Sequence, residues 1–345
     1  MKTIKTEDAV GTILCHDLTR IVRNEVKETA FRKGHVVRPE DIPVLLAIGK
    51  TRLFVWDLGE DMVHENDAVA ALRGYCQLEG PFAATPPKEG GLHLTADGDG
   101  LFLADLALLE AVNDDGELAV VVRPSGVMVK RGEKVASFKV IPLAVAREKL
   151  ERARALLAGK TLFAIKPFMP MKAAIVATGS EVFTGRIKDT FTPVVEEKLA
   201  EYGIGVIKKT VCDDRIGDIA SAVRESLAMG ADLIVCTGGM SVDPDDLTPG
   251  AIKASGAEIV AYGAPVMPGA MFLVAYIGDV PVLGLPGCVM FGKRTIFDVI
   301  MPRIAVGRRV TGKEIRQMGH GGLCLACPRC VFPVCGFGRG SPYGL

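Results

Sequence analysis

From residue 173 to about residue 304, short apolar runs alternate with amphipathic stretches, and this alternation constrains the chain more than any other feature. Ala173-Ala-Ile-Val-Ala-Thr178, Gly205-Val-Ile-Lys-Lys-Thr-Val211, Leu233-Ile-Val-Cys-Thr237, residues 258–261 and residues 282–285 read as strands. Between them residues 193–202, 216–229 and 249–255 read as helices, and a last helix is expected from about Val289 to Ile304. Such repetition predicts an α/β fold, a doubly wound and mostly parallel sheet with helices on both faces. No period of 20–50 residues recurs, which excludes a solenoid.

Residues 1–165 have a different texture and read as an α+β domain. Phe31-Arg-Lys-Gly-His35-Val-Val reads as a strand after a turn, and Leu53-Phe-Val-Trp56 as another strand. Between them Pro39-Glu-Asp-Ile-Pro-Val-Leu-Leu-Ala-Ile-Gly49 reads as a short helix, with proline and acids in its first turn and glycine at its end. Residues 118–122 and 126–130 flank a turn, residues 130–133 read as a turn before residues 135–143, and residues 144–157 have helical spacing. The Pro-containing stretch up to Pro170 marks a boundary. The expected organisation of the 345 residues is thus 1–165, an α/β domain over 171–307, and a cysteine-rich tail over 308–345.

Charge narrows the function classes. Lys plus Arg and Asp plus Glu both number 41, so no net field draws a polyanion or an anionic membrane, and neither is an expected partner. The most apolar stretch, residues 271–291, carries Asp279, Pro281 and Pro286 and reads as strand, turn, strand, loop and helix start, not as a membrane span. No apolar core follows Lys2 and Lys5 in the manner of a secretory signal, so the cytoplasm is the expected compartment. Five cysteines are scattered (Cys15, Cys76, Cys212, Cys236 and Cys288), as reduced core thiols would be.

Ligands of such a sheet bind beyond the carboxyl ends of its strands, where three loops stand out. These are Thr178-Gly179-Ser180-Glu181, Thr237-Gly238-Gly239-Met240-Ser241 continuing to Asp243 and Thr248, and Leu285-Pro286-Gly287-Cys288. Paired glycines allow backbone N–H groups to converge on an anion, and the following helix starts add positive dipole ends, so phosphate is the expected guest. Glu181, Asp243, Asp245 and Asp246 beside a phosphate suggest a bridging Mg2+, since bare carboxylates would repel it. Asp213 and Asp214 either join this group or cap the next helix.

Other motifs are weaker. Gly49-Lys50-Thr51 and Gly159-Lys160-Thr161 lack the earlier glycine of a phosphate-binding P-loop, and no Gly-x-Gly-x-x-Gly opens a helix after a strand. His16 and His64 sit beside acids but read as structural or surface histidines. The tail is a stronger signal: Cys324-x-x-Cys327-x-x-Cys330-x-x-x-x-Cys335, with Gly and Pro able to wrap a cation, suits either Zn or an iron–sulfur (Fe-S) cluster. A mobile redox tail is the other reading.

Five motifs, Thr178-Gly-Ser-Glu181, Thr237-Gly-Gly-Met-Ser241, the run from Asp243 to Pro249, Pro268-Gly269 and Leu285-Pro-Gly287, together resemble the molybdopterin-binding domain family over about residues 171–307. That family includes molybdopterin molybdenumtransferases, molybdopterin adenylyltransferases and CinA-type proteins. The domain order and Phe31-Arg-Lys-Gly-His-Val-Val-Arg-Pro-Glu-Asp-Ile resemble the molybdenumtransferase. Three features depart from it: Ser180 stands where that enzyme has an acid, Met267 and Ala270 stand where it has lysines, and the cysteine tail replaces its C-terminal β-barrel. Asp246-Leu-Thr248-Pro249-Gly-Ala251 resembles the adenylyltransferase motif, and Asp245-Asp-Leu-Thr248 that of CinA.

The resemblance implies molybdenum cofactor biosynthesis, with molybdopterin or adenylated molybdopterin bound, molybdate inserted and AMP released. The alternatives are a non-catalytic carrier or sensor and an adenylyltransferase. On this reading the amides of Thr237 to Ser241 and the Pro286-Gly287 turn take the pterin phosphate, with Thr178, Gly179, Ser180 and Thr248 alongside. Glu181, Asp214 and Asp246 hold Mg2+ or position molybdate, Asp243 lies nearby, and Lys188 or Arg186 neutralises the anion. A homodimer and a molybdo-enzyme partner are further implications of the family.

Overall fold

The computed structural model describes residues 2–22, 26–55 and 61–339. Its largest sheet is formed by six strands: β1 (Lys172–Thr178), β2 (Gly205–Cys212), β3 (Leu233–Thr237), β4 (Glu258–Tyr262), β5 (Leu273–Ile277) and β6 (Val280–Leu285). The strand order is β2-β1-β3-β6-β5-β4. β2, β1, β3 and β6 run parallel, and β5 is antiparallel to both neighbours. The chain leaves β1 to one side to make β2 and crosses back to make β3 on the other, so the order reverses between β1 and β3.

Helices cover both faces, which is why the central strands are apolar at every position. Ala173, Ile175, Leu233, Val235 and Leu283 face one way, against Val195 and Leu199 of α2 (Phe191–Ala200) and Ile296, Ile300 and Ile304 of α5 (Ile296–Ala305). Ala174, Val176, Ile234, Cys236 and Val282 face the other way, against Ile219 and Val223 of α3 (Ile216–Ala228) and Ile252 of α4 (Thr248–Ala254). α1 is a single turn, Ser180–Phe183, directly after β1. The doubly wound sheet is therefore present as the alternation requires.

The expected helix over 289–304 is divided. Residues Gly287–Met290 form a 3-10 turn, and α5 begins only after Thr295, whose side chain caps the helix while Asp298 reaches back to the Thr295 amide. This reciprocal box satisfies two N-terminal donors and fixes the start. The 144–157 helix likewise begins later, at Arg147, because Ala144–Ala146 pairs with Met62–His64 as a strand.

The N-terminal half holds two four-stranded sheets. One runs Leu118–Val122, Lys134–Val140, Gly91–Ala96, Phe82–Ala84; the other runs Val127–Val129, Gly100–Ala104, Thr161–Lys166, Gln77–Glu79. The two segments expected to flank a turn near Ser125 thus lie in different sheets. Residues 161–166, within the stretch read as a boundary, are a strand paired with Gly100–Ala104. Phe31 ends the strand Val26–Phe31, and a turn follows it; only Val36 of the segment beyond bridges to Ile13. Trp56, expected at the end of a strand, lies outside the described residues.

Residues 308–339 fold back on the α/β unit, with one short α-helix, α6 (Gly312–Arg316), followed by a 3-10 turn at Gln317–Gly319. Met318 and Phe337 are buried in the same core as α5. Among the described residues, no helix is long and apolar enough to cross a membrane.

Candidate functional site

Thr178 and Thr237 end the two strands between which the order reverses, the place where an open α/β sheet leaves a crevice. Both are buried. Gly238 and Gly239 follow Thr237 with φ of 88° and 54°, in the left-handed region. A Cβ on Gly238 would lie 2.2 Å from the Thr178 carbonyl oxygen, and one on Gly239 would lie 2.8 Å from Thr248 Oγ1. Only glycine fits either position. The turn is tied further by Thr248 N–H donating to the Gly239 carbonyl at 3.2 Å and by the Thr178 and Thr248 hydroxyls, 3.2 Å apart.

The next part of this loop is held from outside by a residue the sequence does not mark. Tyr262, at the end of β4, donates its hydroxyl to the carbonyls of Met240 at 3.2 Å and Ser241 at 3.3 Å. A trans peptide points its N–H opposite to its C=O, so the amides of Ser241 and Val242 face away from this ring. Burial raises the Tyr262 pKa, with Asp246 acting in the same direction. The Met240 side chain is buried against Gly284, so this expected binding residue has its backbone to offer, not its thioether. Pro286 is buried too, while Gly287 is exposed at the start of the 3-10 turn.

Ser180 brings in the two aspartates whose place the sequence leaves open. Its N–H donates to Asp214 Oδ2 at 2.7 Å, and its hydroxyl lies 2.7 Å from Asp213 Oδ1 and 3.1 Å from Asp214 Oδ2. The Ser180 hydroxyl lowers the Asp213 pKa, assisted by the Asp214 amide and Arg215. α3 takes Arg215 as its N-cap with no side-chain capping bond, so the two acids belong to the sheet edge and do not cap the helix. Gly179, between Thr178 and Ser180, has φ 145°.

A second pair of carboxylates stands in the loop after Gly239. Asp246 Oδ2 accepts the Asp243 N–H at 3.1 Å, and the Asp246 N–H donates to the Asp243 carbonyl at 3.0 Å. Asp243 and Asp245 are exposed and Asp246 half-buried. Glu181 is exposed, as are Arg186 and Lys188, and the Glu181 carbonyl receives the amides of Arg186 and Ile187. The acids therefore form two separate groups, Asp213 with Asp214 and Asp243 with Asp246. Among the described residues no three His, Cys, Asp or Glu side chains stand together as one ion would require.

Of the other expected features, His64 is structural. It caps the helix Glu65–Tyr75, accepting the Asn66 N–H at Nδ1, while Nε2 lies 2.6 Å from the Cys15 carbonyl. Burial lowers its pKa. In the tail, Cys324 and Cys335 are half-buried and Cys327 and Cys330 exposed, and all four line one cavity of about 590 Å³. The Met267 amide donates to the Gly322 carbonyl and the Cys324 amide to the Met267 carbonyl, each at 2.8 Å, so the tail is joined to the Pro268-Gly269 segment.

Residues 174–306 match a family described as a probable molybdopterin binding domain. Ahead of that match, residues 3–57 match a domain of unknown function (DUF8806). A CinA-like protein of Mycobacterium sp. (strain MCS) is 44% identical over 80 residues, 23% of this chain and 19% of the relative. A CinA-like protein of Mycobacterium tuberculosis (strain H37Rv) is 42% identical over 77 residues, 22% of this chain and 18% of the relative. The chain thus spans about a fifth of the length of these curated relatives. Among solved structures, CinA from Thermoplasma acidophilum has 20% identity and a TM-score of 0.35, covering 39% of this chain and 98% of that one. The molybdopterin biosynthesis enzyme MoaB from Thermus thermophilus has 20% identity and a TM-score of 0.32, covering 39% and 91%.

Proposed function

We propose that this protein acts in molybdenum cofactor biosynthesis, holding adenylated molybdopterin at the carboxyl edge of the sheet and inserting molybdate at its dithiolene with release of AMP. The observation that carries this reading is the turn at Gly238 and Gly239, packed onto Thr178 at the point of strand reversal and flanked by two pairs of carboxylates. Backbone amides of residues 238–242 and the Gly287 turn receive phosphate oxygens, because unpaired N–H groups in such turns are preorganised for anions. Thr178 and Thr248 hold the turn in shape from beneath. Lys188 and Arg186 are the exposed cations of the adjoining loop and offset the ligand's charge.

The donor set fits Mg2+ chemically, since half-buried and exposed carboxylate oxygens suit a small hard cation. Asp246 would hold it, with Asp243 alongside and phosphate and water oxygens completing its shell, while Asp214 and Glu181 of the other group position molybdate. Bound there, such an ion would supply charge neutralisation to the ligand's phosphates. Ser180 positions Asp213 and Asp214, and the Asp243–Asp246 turn keeps the Asp246 carboxylate at the edge.

A second reading is a carrier or sensor that binds the pterin without turnover. It is favoured by Met267, which stands where the molybdenumtransferase has a lysine and is 62% exposed. An anaerobic reaction with adenylated molybdopterin, Mg2+ and molybdate, followed by AMP release, separates the two. Molybdate-dependent multiple turnover supports the transferase. Stoichiometric binding without AMP release supports the carrier, and ATP-dependent AMP attachment to molybdopterin would indicate the adenylyltransferase. Asp246→Asn should abolish turnover and leave the fold intact, because the amide oxygen still accepts the Asp243 N–H. Full activity in that variant would refute the assignment.

A further inference from the structure

The pterin reading gives the four tail cysteines no role, and the arrangement around them points to a ligand of its own. Residues 321–338 form a closed loop: the Gly338 amide donates to the Gly321 carbonyl at 2.9 Å, and the Cys324 amide pairs with Met267. Phe337, 5% exposed, anchors the loop in the main core, and Phe332 packs beside it. The loop between these anchors has almost no regular structure, and it leaves Leu325 77% and Val334 69% exposed. Its own side chains build no core that would hold it in shape.

What the loop does build is a cavity of about 590 Å³ with Cys324, Cys327, Cys330 and Cys335 all on its wall. Ala326 has φ 49°, which turns the backbone sharply between the first two cysteines. Three cations lie around the thiols. Lys293 and Arg294 line the same cavity, and Lys293 Nζ reaches the Pro328 carbonyl at 3.5 Å. Arg294 is fixed by Glu201 and Asp298 and lies over the Phe332 ring. Arg339 is close enough to feel the charge of Cys335, and its buried Nε has no acceptor among the described residues. Thiolates ringed by cations are set up for a net anionic guest.

Geometry distinguishes the guests that four thiolates accept. A tetrahedral Zn2+ with Zn–S bonds of about 2.3 Å draws its sulfurs to roughly 3.8 Å from one another, so they meet around a point. Here the four cysteines line a volume much larger than one ion. A polynuclear iron–sulfur core takes up such a volume, since each cysteine binds a different iron at the outside of the cluster. We propose that Cys324, Cys327, Cys330 and Cys335 ligate an iron–sulfur cluster in this cavity. Each thiol gives up its proton and forms one sulfur–iron bond, and the cations balance the negative charge that remains. This assignment does not depend on the pterin reading.

The test uses the full chain, purified anaerobically and then reconstituted with ferric iron, sulfide and dithiothreitol as reductant. Iron, acid-labile sulfide and zinc are measured per chain, with visible absorption and electron paramagnetic resonance of the reduced protein. The expected result is iron and sulfide in equal amounts, roughly four of each, with a broad charge-transfer band. Cys327→Ser and Cys330→Ser alter exposed residues, so their circular dichroism should stay unchanged while the band is lost. One zinc, or one iron without sulfide, would overturn the proposal. So would a wild-type chain that takes up no metal, or serine variants that keep the full cluster signal.

Discussion

Replacing Gly238 with alanine tests whether the turn that follows β3 and packs on the end of β1 is as tightly determined as its contacts indicate. The new Cβ would lie 2.2 Å from the Thr178 carbonyl oxygen, whereas such contacts essentially never fall below 3.0 Å, so the strand ends must separate by at least 0.8 Å. The backbone there also has φ 88°, which costs a non-glycine residue about 1–3 kcal/mol. Overpacking against backbone adds about 1 kcal/mol or more. Together these give a local destabilisation of roughly 2–4 kcal/mol. Gly287→Ala is the matched control, because its Cβ would meet nothing nearer than Phe191 Cζ at 3.9 Å. Its cost should stay within about 0.5 kcal/mol. Native-state hydrogen exchange in the full chain, read on peptides covering residues 172–178 and 233–237, reports the opening of these strands without assuming two-state unfolding. Gly238→Ala should accelerate exchange there, and pterin binding should fall with it. Unchanged protection in Gly238→Ala would refute the steric argument.

Three further outcomes are expected. Ser180→Ala removes the main influence that lowers the Asp213 pKa, so in a carboxyl NMR titration that pKa should rise toward the ordinary aspartate value; no movement would show that Arg215 and the Asp214 amide suffice. Lys198→Met strands one partner of a buried pair in which Lys198 Nζ lies 2.9 and 3.0 Å from the Asp298 carboxylate oxygens. It should cost about 3 kcal/mol in urea unfolding, the low end for such a break because Arg294 still pairs with Asp298; a loss below about 0.5 kcal/mol would contradict the packing. His64 is held neutral by burial, its pKa below the ordinary 6.5. The unfolded chain therefore takes up a proton first as pH falls below 6.5, and the stability contributed by the neutral ring is full above that pH and lost below it. Thermal melts at pH 7.5 and pH 5.5 should show a smaller difference in His64→Gln than in the wild type.

The α/β sheet was legible because strands buried on both faces must be apolar throughout, and because helices between parallel strands repeat the pattern. The hairpin of β5 and β6 was legible through Gly278-Asp279 and the interrupted apolar run around it. The break before α5 was missed although its signal was present: Thr295 and Asp298 have capping-box spacing, but a capping box inside an apolar stretch is easily read through. In the N-terminal half, local pattern could not show that residues 118–122 and 127–129 enter different sheets, since that depends on partners at 134–140 and 100–102. Residues 161–166 were lost in the same way, because their pairing with Gly100–Ala104 spans about sixty residues. At the site, the three loops were legible from glycines and acids. The division of those acids into two pairs was not, because it rests on Ser180 reaching across from β1 to the loop after β2. Tyr262 carries no local signal at all, standing on an edge strand far from the loop it supports.

Met128 from the N-terminal half and Phe337 from the tail both enter the core that lies under α5, while Phe168 and Val306 pack with Leu101 and Leu103 across the junction. The segment that matches the binding-domain family is therefore not an interchangeable module in this chain. Excised at the family boundaries, it would carry an apolar scar on either side, where Leu101 and Phe337 had been, and would tend to self-associate through those surfaces. Recombination that joins a related domain to this N-terminal half must preserve complementary side chains at both seams. The unit that can be exchanged is set by the shared core and not by the motif-bearing loops.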